Sequence, residues 1–233
     1  MSFKLLPLLG ALVLATPAHA VSINMSDFSF AAPTTVNMQG TDGSPSYDGQ
    51  AGRFSGTSDG GVPGSDLLRF GLIDDAATSS SFVAWCAELT QTFNFDVTYD
   101  YTLVSGLAHF GATKNDELSR LFTAAQGFVV DSNTSAAMQA GIWEIIYEQG
   151  PTFSLLGGTF KGGPEDPSAQ GAFDTVNGFL MHLSDYAALA RIDVLENGAQ
   201  QDFLVATIPE PETWVLTIAG LALIGFLRRR RAR

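Results

Sequence analysis

Apolar and polar positions change rhythm along the chain. Residues 28–31, 52–55, 67–72 and 81–89 are short apolar segments divided by Gly, Ser, Asp and Pro. That pattern predicts strands, with loops at 40–50 and 57–65. Residues 93–99 (Phe-Asn-Phe-Asp-Val-Thr-Tyr) alternate, the signature of a half-buried strand, and 101–104 extend it. The spacing then becomes helical. Thr113 caps a predicted helix with Asp116 and Glu117 in its first turn and Leu118, Leu121, Phe122 and Ala125 on one side. A second helix is expected from Thr134 or Ser135 to Glu148, stopped by Gly150 and Pro151. A third, over 173–183, sets Phe173, Val176, Leu180 and Leu183 on one face, after a Gly- and Pro-rich loop at 157–170. Residues 192–195, the turn Asn197-Gly198 and residues 202–207 read as a β-hairpin. Strands, then helices, then a hairpin predict one α+β domain over 21–207: an antiparallel β-sandwich or barrel-like sheet with a helical middle section.

The two ends have a different character. Lys4, an apolar run and Ala18-His19-Ala20 form a signal-peptide pattern over residues 1–20, with cleavage expected after Ala20. At the other end Pro209-Glu210-Pro211 precedes an apolar run at 214–227, and Arg228, Arg229, Arg230 and Arg231 follow at once. As a helix that run of 14 residues is about 21 Å long, short against a hydrocarbon core of about 30 Å. Thr213 and snorkelling arginines extend it to a thin or tilted transmembrane helix over about 213–227, held in the cytoplasm at its arginine end. The Pro-Glu-Pro triplet, the short apolar helix and the Arg cluster together resemble the PEP-CTERM sorting signal, here residues 208–233. The resemblance implies that a Gram-negative cell exports the chain, that exosortase recognises Pro209, Glu210 and Pro211, and that the helix is removed. The route implied runs through signal peptidase and the inner membrane to the cell surface or the exopolysaccharide matrix.

Charge narrows the function of the middle. Setting aside Lys4, five terminal arginines, Glu210 and Glu212 takes 12 bases to six and 24 acids to 22, a net charge of −16 for residues 21–207. Such a domain repels phosphate backbones, so no nucleic-acid partner is expected. One cysteine and three histidines leave little for a metal centre, and no cofactor is expected.

Cys86 stands alone in a chain bound for an oxidising compartment, where a free thiol is a liability. It is either a small buried hydrophobe or a thiol committed to chemistry. The stretch Phe82-Val83-Ala84-Trp85-Cys86-Ala87-Glu88-Leu89 puts it just after an aromatic residue, and Gln139-Ala140-Gly141-Ile142-Trp143 lies near the start of the second predicted helix. Over residues 81–150 these motifs resemble the thioester domains of bacterial surface adhesins, with Gly141 where the family has alanine. The resemblance implies a cross-link between Cys86 and Gln139, shielded by Trp143, that couples once to a surface nucleophile or to extracellular polysaccharide. The free N–H groups of the helix start are expected to polarise the Gln139 carbonyl. No turnover enzyme is expected. The alternative is a non-reactive structural or carbohydrate-binding component of the matrix.

Other signals are weaker. Gly56-Thr57-Ser58-Asp59-Gly60 fits a nucleophile elbow but reads as a loop, since Gly61 and Pro63 follow. His109 and His182 show no evident acidic partner. Asp42, Asp48 and Asp59 fall in Gly-rich loops where calcium could bind, without regular ligand spacing.

Overall fold

The computed structural model of the chain describes residues 19–59 and 79–207. Among these residues the chain order is β1 (His19–Phe28), β2 (Thr34–Gly40), β3 (Tyr47–Ala51), β4 (Phe54–Asp59), β5 (Ser79–Cys86), β6 (Thr98–Ser105), α1 (Gly106–Ala124), α2 (Ser132–Tyr147), β7 (Phe160–Pro164), α3 (Gln170–Met181), β8 (Arg191–Glu196) and β9 (Phe203–Thr207). Six strands close an antiparallel barrel in the order β1-β4-β5-β9-β8-β6, and β3-β2-β7 form a separate sheet. The α+β expectation holds, with the barrel as its β part.

Period-2 alternation sends Val21, Ile23 and Met25 of β1 into the barrel, where they meet Phe54, Phe82, Tyr101 and Phe203 in one core. β8 and β9 break the alternation. Ile192, Asp193, Val194 and Leu195 are all buried, as are Phe203, Leu204 and Val205. Strands buried on both faces need cover outside, and α1 packs over β8. Farther out, α2 lies against α1, α3 and the three-stranded sheet. Every residue from Ser135 to Ile145 of α2 is buried. A helix enclosed all round is a core element, consistent with its Ala- and Ile-rich sequence.

The elements depart from expectation in several places. The first strand ends at Phe28, where 28–31 was expected to be the strand itself. β2, β3 and β7 occupy segments expected to be loops or left unassigned. β7 uses its glycines: a Cβ on Gly162 would collide with Asn37 O of β2 and approach Met38 Cα to 2.7 Å. Residues 93–97 are not a strand, and β6 begins only at Thr98. Phe93 and Phe95 instead turn back onto the barrel rim, their rings 5.3 and 6.0 Å from that of Phe54. α1 starts at Gly106, capped by the Ser105 hydroxyl. It breaks at Gly111 (φ 80°) before resuming beside the expected cap Thr113. α2 starts at Ser132 because Asp131 and Thr134 form a reciprocal capping box. The predicted strand at 67–72 lies outside the described residues.

Candidate functional site

Cys86 is the last residue of β5, its backbone level with Phe203 at the start of β9. Its side chain is 8% exposed. Gln139 is the eighth residue of α2 and is wholly buried. Although 53 positions separate them, the two residues meet directly. The Cys86 N–H donates to Gln139 Oε1 at 2.9 Å, and Gln139 Nε2 donates to the Cys86 carbonyl at 2.9 Å. The carboxamide thus pairs with the Cys86 peptide much as a neighbouring strand would.

This geometry corrects one expectation. Gln139 sits two turns into α2, so the free N–H groups of the helix start are not what polarises its carbonyl. The single positioned donor on Oε1 is the Cys86 N–H. A donor on the oxygen where negative charge would develop, fixed before any reaction and screened from water, is the arrangement that stabilises an oxyanion.

The pair lines a cavity of about 440 Å³ whose other lining side chains are mostly aromatic and apolar. Trp143, one turn beyond Gln139, forms part of its wall and is 1% exposed. Its ring centroid lies 5.0 Å from that of Tyr47, whose hydroxyl donates to Gln50 O at 2.6 Å. Phe28, Phe54, Phe93 and Phe95 line it as well. Glu88 enters the same cavity, and Oε1 of its carboxylate accepts from Asp202 N at 3.2 Å. Two buried polar atoms of the wall, Trp143 Nε1 and Gln91 Oε1, have no hydrogen-bond partner.

Burial dominates the titration of the site. Desolvation raises the Cys86 thiol well above its ordinary value, and the nearby Glu88 carboxylate adds to the rise, so sulfur stays protonated at neutral pH. Burial likewise pushes Tyr47 up to about 12, helped by the proximity of Cys86 and Asp48.

α2 and its C-cap carry two further buried acids, Glu144 and Glu148, that do not line the cavity. Glu144 Oε1 accepts from Ser154 N at 2.7 Å and its Oε2 has no hydrogen-bond partner. Desolvation lifts its pKa to about 8, against that backbone bond, and the Glu148 carboxylate raises it further. Glu148 accepts from the backbone N–H groups of Gly150, Thr159 and Phe160 and from the Thr159 hydroxyl. Its burial acts upward, but these bonds outweigh it and hold the pKa below the ordinary carboxylate value. Both residues secure the loop between α2 and β7.

The remaining signals resolve as follows. Gly56, Thr57, Ser58 and Asp59 belong to β4, and Ser58 is 3% exposed, so the segment is neither a loop nor an exposed elbow. His109 does have an acidic partner: its Nδ1 lies 2.5 Å from Glu196 Oε1, and His182 Nδ1 lies 3.6 Å from Asp185 Oδ2. Asp48 is on β3 and accepts from Asn37 Nδ2. Among the described residues no three His, Cys, Asp or Glu side chains are grouped to hold a metal ion. A larger groove of about 610 Å³ runs between α1, the 151–154 loop and the end of α3. Its cation, Arg120, is already bound by Asp116 and the Tyr186 carbonyl, and the groove contains no thiol.

No described helix is long and apolar enough to cross a membrane. Residues 1–18, Pro209, Glu210, Pro211, the apolar run at 214–227 and the cluster Arg228 to Arg231 lie outside the described residues. Residues 207–231 match the PEP-CTERM protein-sorting motif, which marks a chain for export and membrane-associated sorting by exosortase in Gram-negative bacteria. No curated protein and no solved structure matches the chain. None of these comparisons supports the resemblance of residues 81–150 to thioester domains.

Proposed function

Starting from a chain that carries the PEP-CTERM sorting motif, we propose that the exported domain attaches covalently to a partner through an internal thioester between Cys86 and Gln139. The observation that carries this reading is the carboxamide of Gln139, held by two 2.9 Å bonds against the Cys86 peptide where both residues line an open cavity. In the reaction, Sγ bonds to the Gln139 side-chain carbonyl carbon and the C–N bond breaks. The thiol proton leaves with the amide nitrogen as ammonia, so no net charge enters the buried site. That balance suits a thiol kept protonated by burial. An amide is a poor electrophile, and the fixed Cys86 N–H together with proximity lowers the barrier. A nucleophile on the partner, an amine or a hydroxyl of extracellular polysaccharide or another surface, then adds to the same carbon. Sulfur departs and takes the nucleophile's proton. Trp143 limits water in the cavity, which keeps the bond from hydrolysing. Each molecule reacts once, so the protein is not a turnover enzyme.

Export completes the reading. Residues 1–20 act as the signal peptide, so that cleavage removes His19 and Ala20 from the start of β1, and the run at 214–227 holds the precursor in the inner membrane until exosortase processes it. Replacing Pro209, Glu210 and Pro211 by alanine is expected to leave uncleaved precursor in the inner membrane. Normal processing of that variant would refute the sorting role of the triplet.

The intact mass of the exported protein tests the thioester. The expected mass is one ammonia below the sequence, rising by one methylamine on treatment, with neither change in Cys86→Ala or Gln139→Ala. A mass equal to the plain sequence, with Cys86 alkylated after unfolding, sinks the reading. A second reading then stands on the same bonds: the carboxamide already satisfies the Cys86 N–H and carbonyl without any reaction. In that case Gln139 is a latch between α2 and the barrel, and the protein is a non-reactive matrix component.

A further inference from the structure

Strand register gives the barrel two unlike rims. β5 ends at Cys86, level with the start of β9. The same rim holds the end of β1 at Phe28 and the start of β4 at Phe54, which pair with each other. The aromatic cavity opens there. The other rim holds both ends of the described chain. His19, the start of β1, pairs with Leu103 near the end of β6. Ser105, at the end of β6, pairs with Asp193 near the start of β8. Arg191, at the start of β8, pairs with Thr207 at the end of β9. The expected cleavage after Ala20 and the sorting triplet two residues past Thr207 therefore adjoin one rim, and the Cys86–Gln139 pair adjoins the opposite one.

We infer that the rim bearing Arg191 and Thr207 is a membrane-facing surface, and that a copy held through its sorting segment turns the Cys86–Gln139 cavity away from the bilayer toward a partner beyond it. This rests on the membrane-held stage proposed above and not on thioester formation. Six residues, two of them proline, join Thr207 to Trp214, so the tethered rim stays within roughly 25 Å of the bilayer even with the link fully extended. Along β9 alone Cys86 stands four residues from Thr207, about 13 Å at 3.3 Å per residue. A partner in the same leaflet, including an amine-bearing lipid headgroup, is on the wrong side of the barrel. A partner in trans is on the right one.

The test uses the full chain carrying Cys86→Ala, so that one introduced thiol takes the fluorophore and the thioester plays no part. Ala188→Cys places the label beside Arg191, and Val97→Cys places it beside the cavity rim; both positions are exposed. Each labelled protein is reconstituted into vesicles of phosphatidylethanolamine and phosphatidylglycerol containing a headgroup spin-labelled lipid. The expected result is flotation of both with the vesicles and several-fold stronger quenching at 188 than at 97. Equal quenching, or stronger quenching at 97, overturns the polarity. Failure to float overturns it through the membrane-held stage on which it rests, and leaves the mass test of the thioester unaffected.

Discussion

Gln139 occupies a position where loss of the side chain exposes two faults at once. Gln139→Ala strips the partner from both the N–H and the carbonyl of Cys86 and leaves a void in a region that is 0–8% exposed. An expected loss of about 2–5 kcal/mol, measured by denaturant unfolding, follows from two buried unsatisfied groups and a cavity. The same variant is expected to show no methylamine adduct. Glu144 makes a separate prediction through pH. Its pKa rises from an ordinary 4.5 to about 8 in the fold, so the folded protein binds the proton more tightly. That contribution to stability is fully present below pH 4.5 and is lost as pH rises through about 8, by up to about 1.4 kcal/mol per unit. Glu148, with its lowered pKa, acts in the opposite sense and in a separate window: its stabilisation is present above the ordinary 4.5 and is lost as pH falls through the folded value. Glu144→Gln keeps an acceptor for Ser154 N and removes the titration. Urea midpoints of wild type and Glu144→Gln are expected to agree near pH 4.5 and to separate toward pH 8 with the variant the more stable. A constant gap would show that Glu144 is not the titrating group.

At the scale of elements, α2 decides whether the site exists. Gly141 lets it approach its neighbours: an added Cβ would lie 2.7 Å from Val176 Cγ1 on α3 and 3.4 Å from Leu121 Cδ2 on α1. Alanine is the better helix former by about 1 kcal/mol, but Val176 is β-branched and buried and yields poorly. Gly141→Ala is therefore expected to destabilise by about 1–3 kcal/mol despite its better propensity, read as a fall in Tm. A rise in Tm would mean that α3 shifts freely. The sequence carried the identity of this helix and of the cysteine strand, because a cysteine after an aromatic residue and a Gln-x-x-Ile-Trp stretch are local features. It did not carry the polarising donor. Placing Gln139 near the helix start followed from taking Thr134 or Ser135 as the cap, whereas Asp131 accepts from Thr134 N and moves the start back to Ser132. The alternation at 93–99 misled in a different way. It suggests which side chains face the core, but Phe93 packs against it from a loop that makes no ladder and Phe95 is 38% exposed. β2 is not legible in the sequence although Val36 and Met38 point in with Asn37 between them less buried, since its partners β3 and β7 contain glycines and only the assembled sheet reveals them.

The whole molecule joins a barrel and a small sheet through one enclosed helix, and a Cys86–Gln139 bond would tie the first to that helix. Closing a loop of that length removes about 4 kcal/mol of unfolded-chain entropy. Methylamine treatment opens the loop without deleting a side chain, so it is expected to lower Tm by roughly 10 °C for a domain of this size. Calorimetry of treated and untreated protein checks this, and Gln139→Ala should show no change on treatment. An unchanged Tm in wild type would mean that no such closed loop exists. The order of strands around the barrel was beyond sequence reasoning, because it depends on which edges meet after collapse and not on any one segment's pattern.

β9 has neighbours on both sides, β5 and β8, and runs from the level of Cys86 to the rim of the C-terminal tether. If a partner is bound through Gln139 and the chain is held beyond Thr207, a pull between them runs along the strand. It shears the ladder bonds of β9 together instead of unzipping them one at a time. Rupture then requires many bonds to fail at once, and its rate follows the unfolding barrier more than the equilibrium stability. The arrangement that points the cavity outward also makes the barrel a mechanical link that resists extension best in the direction in which attachment would load it.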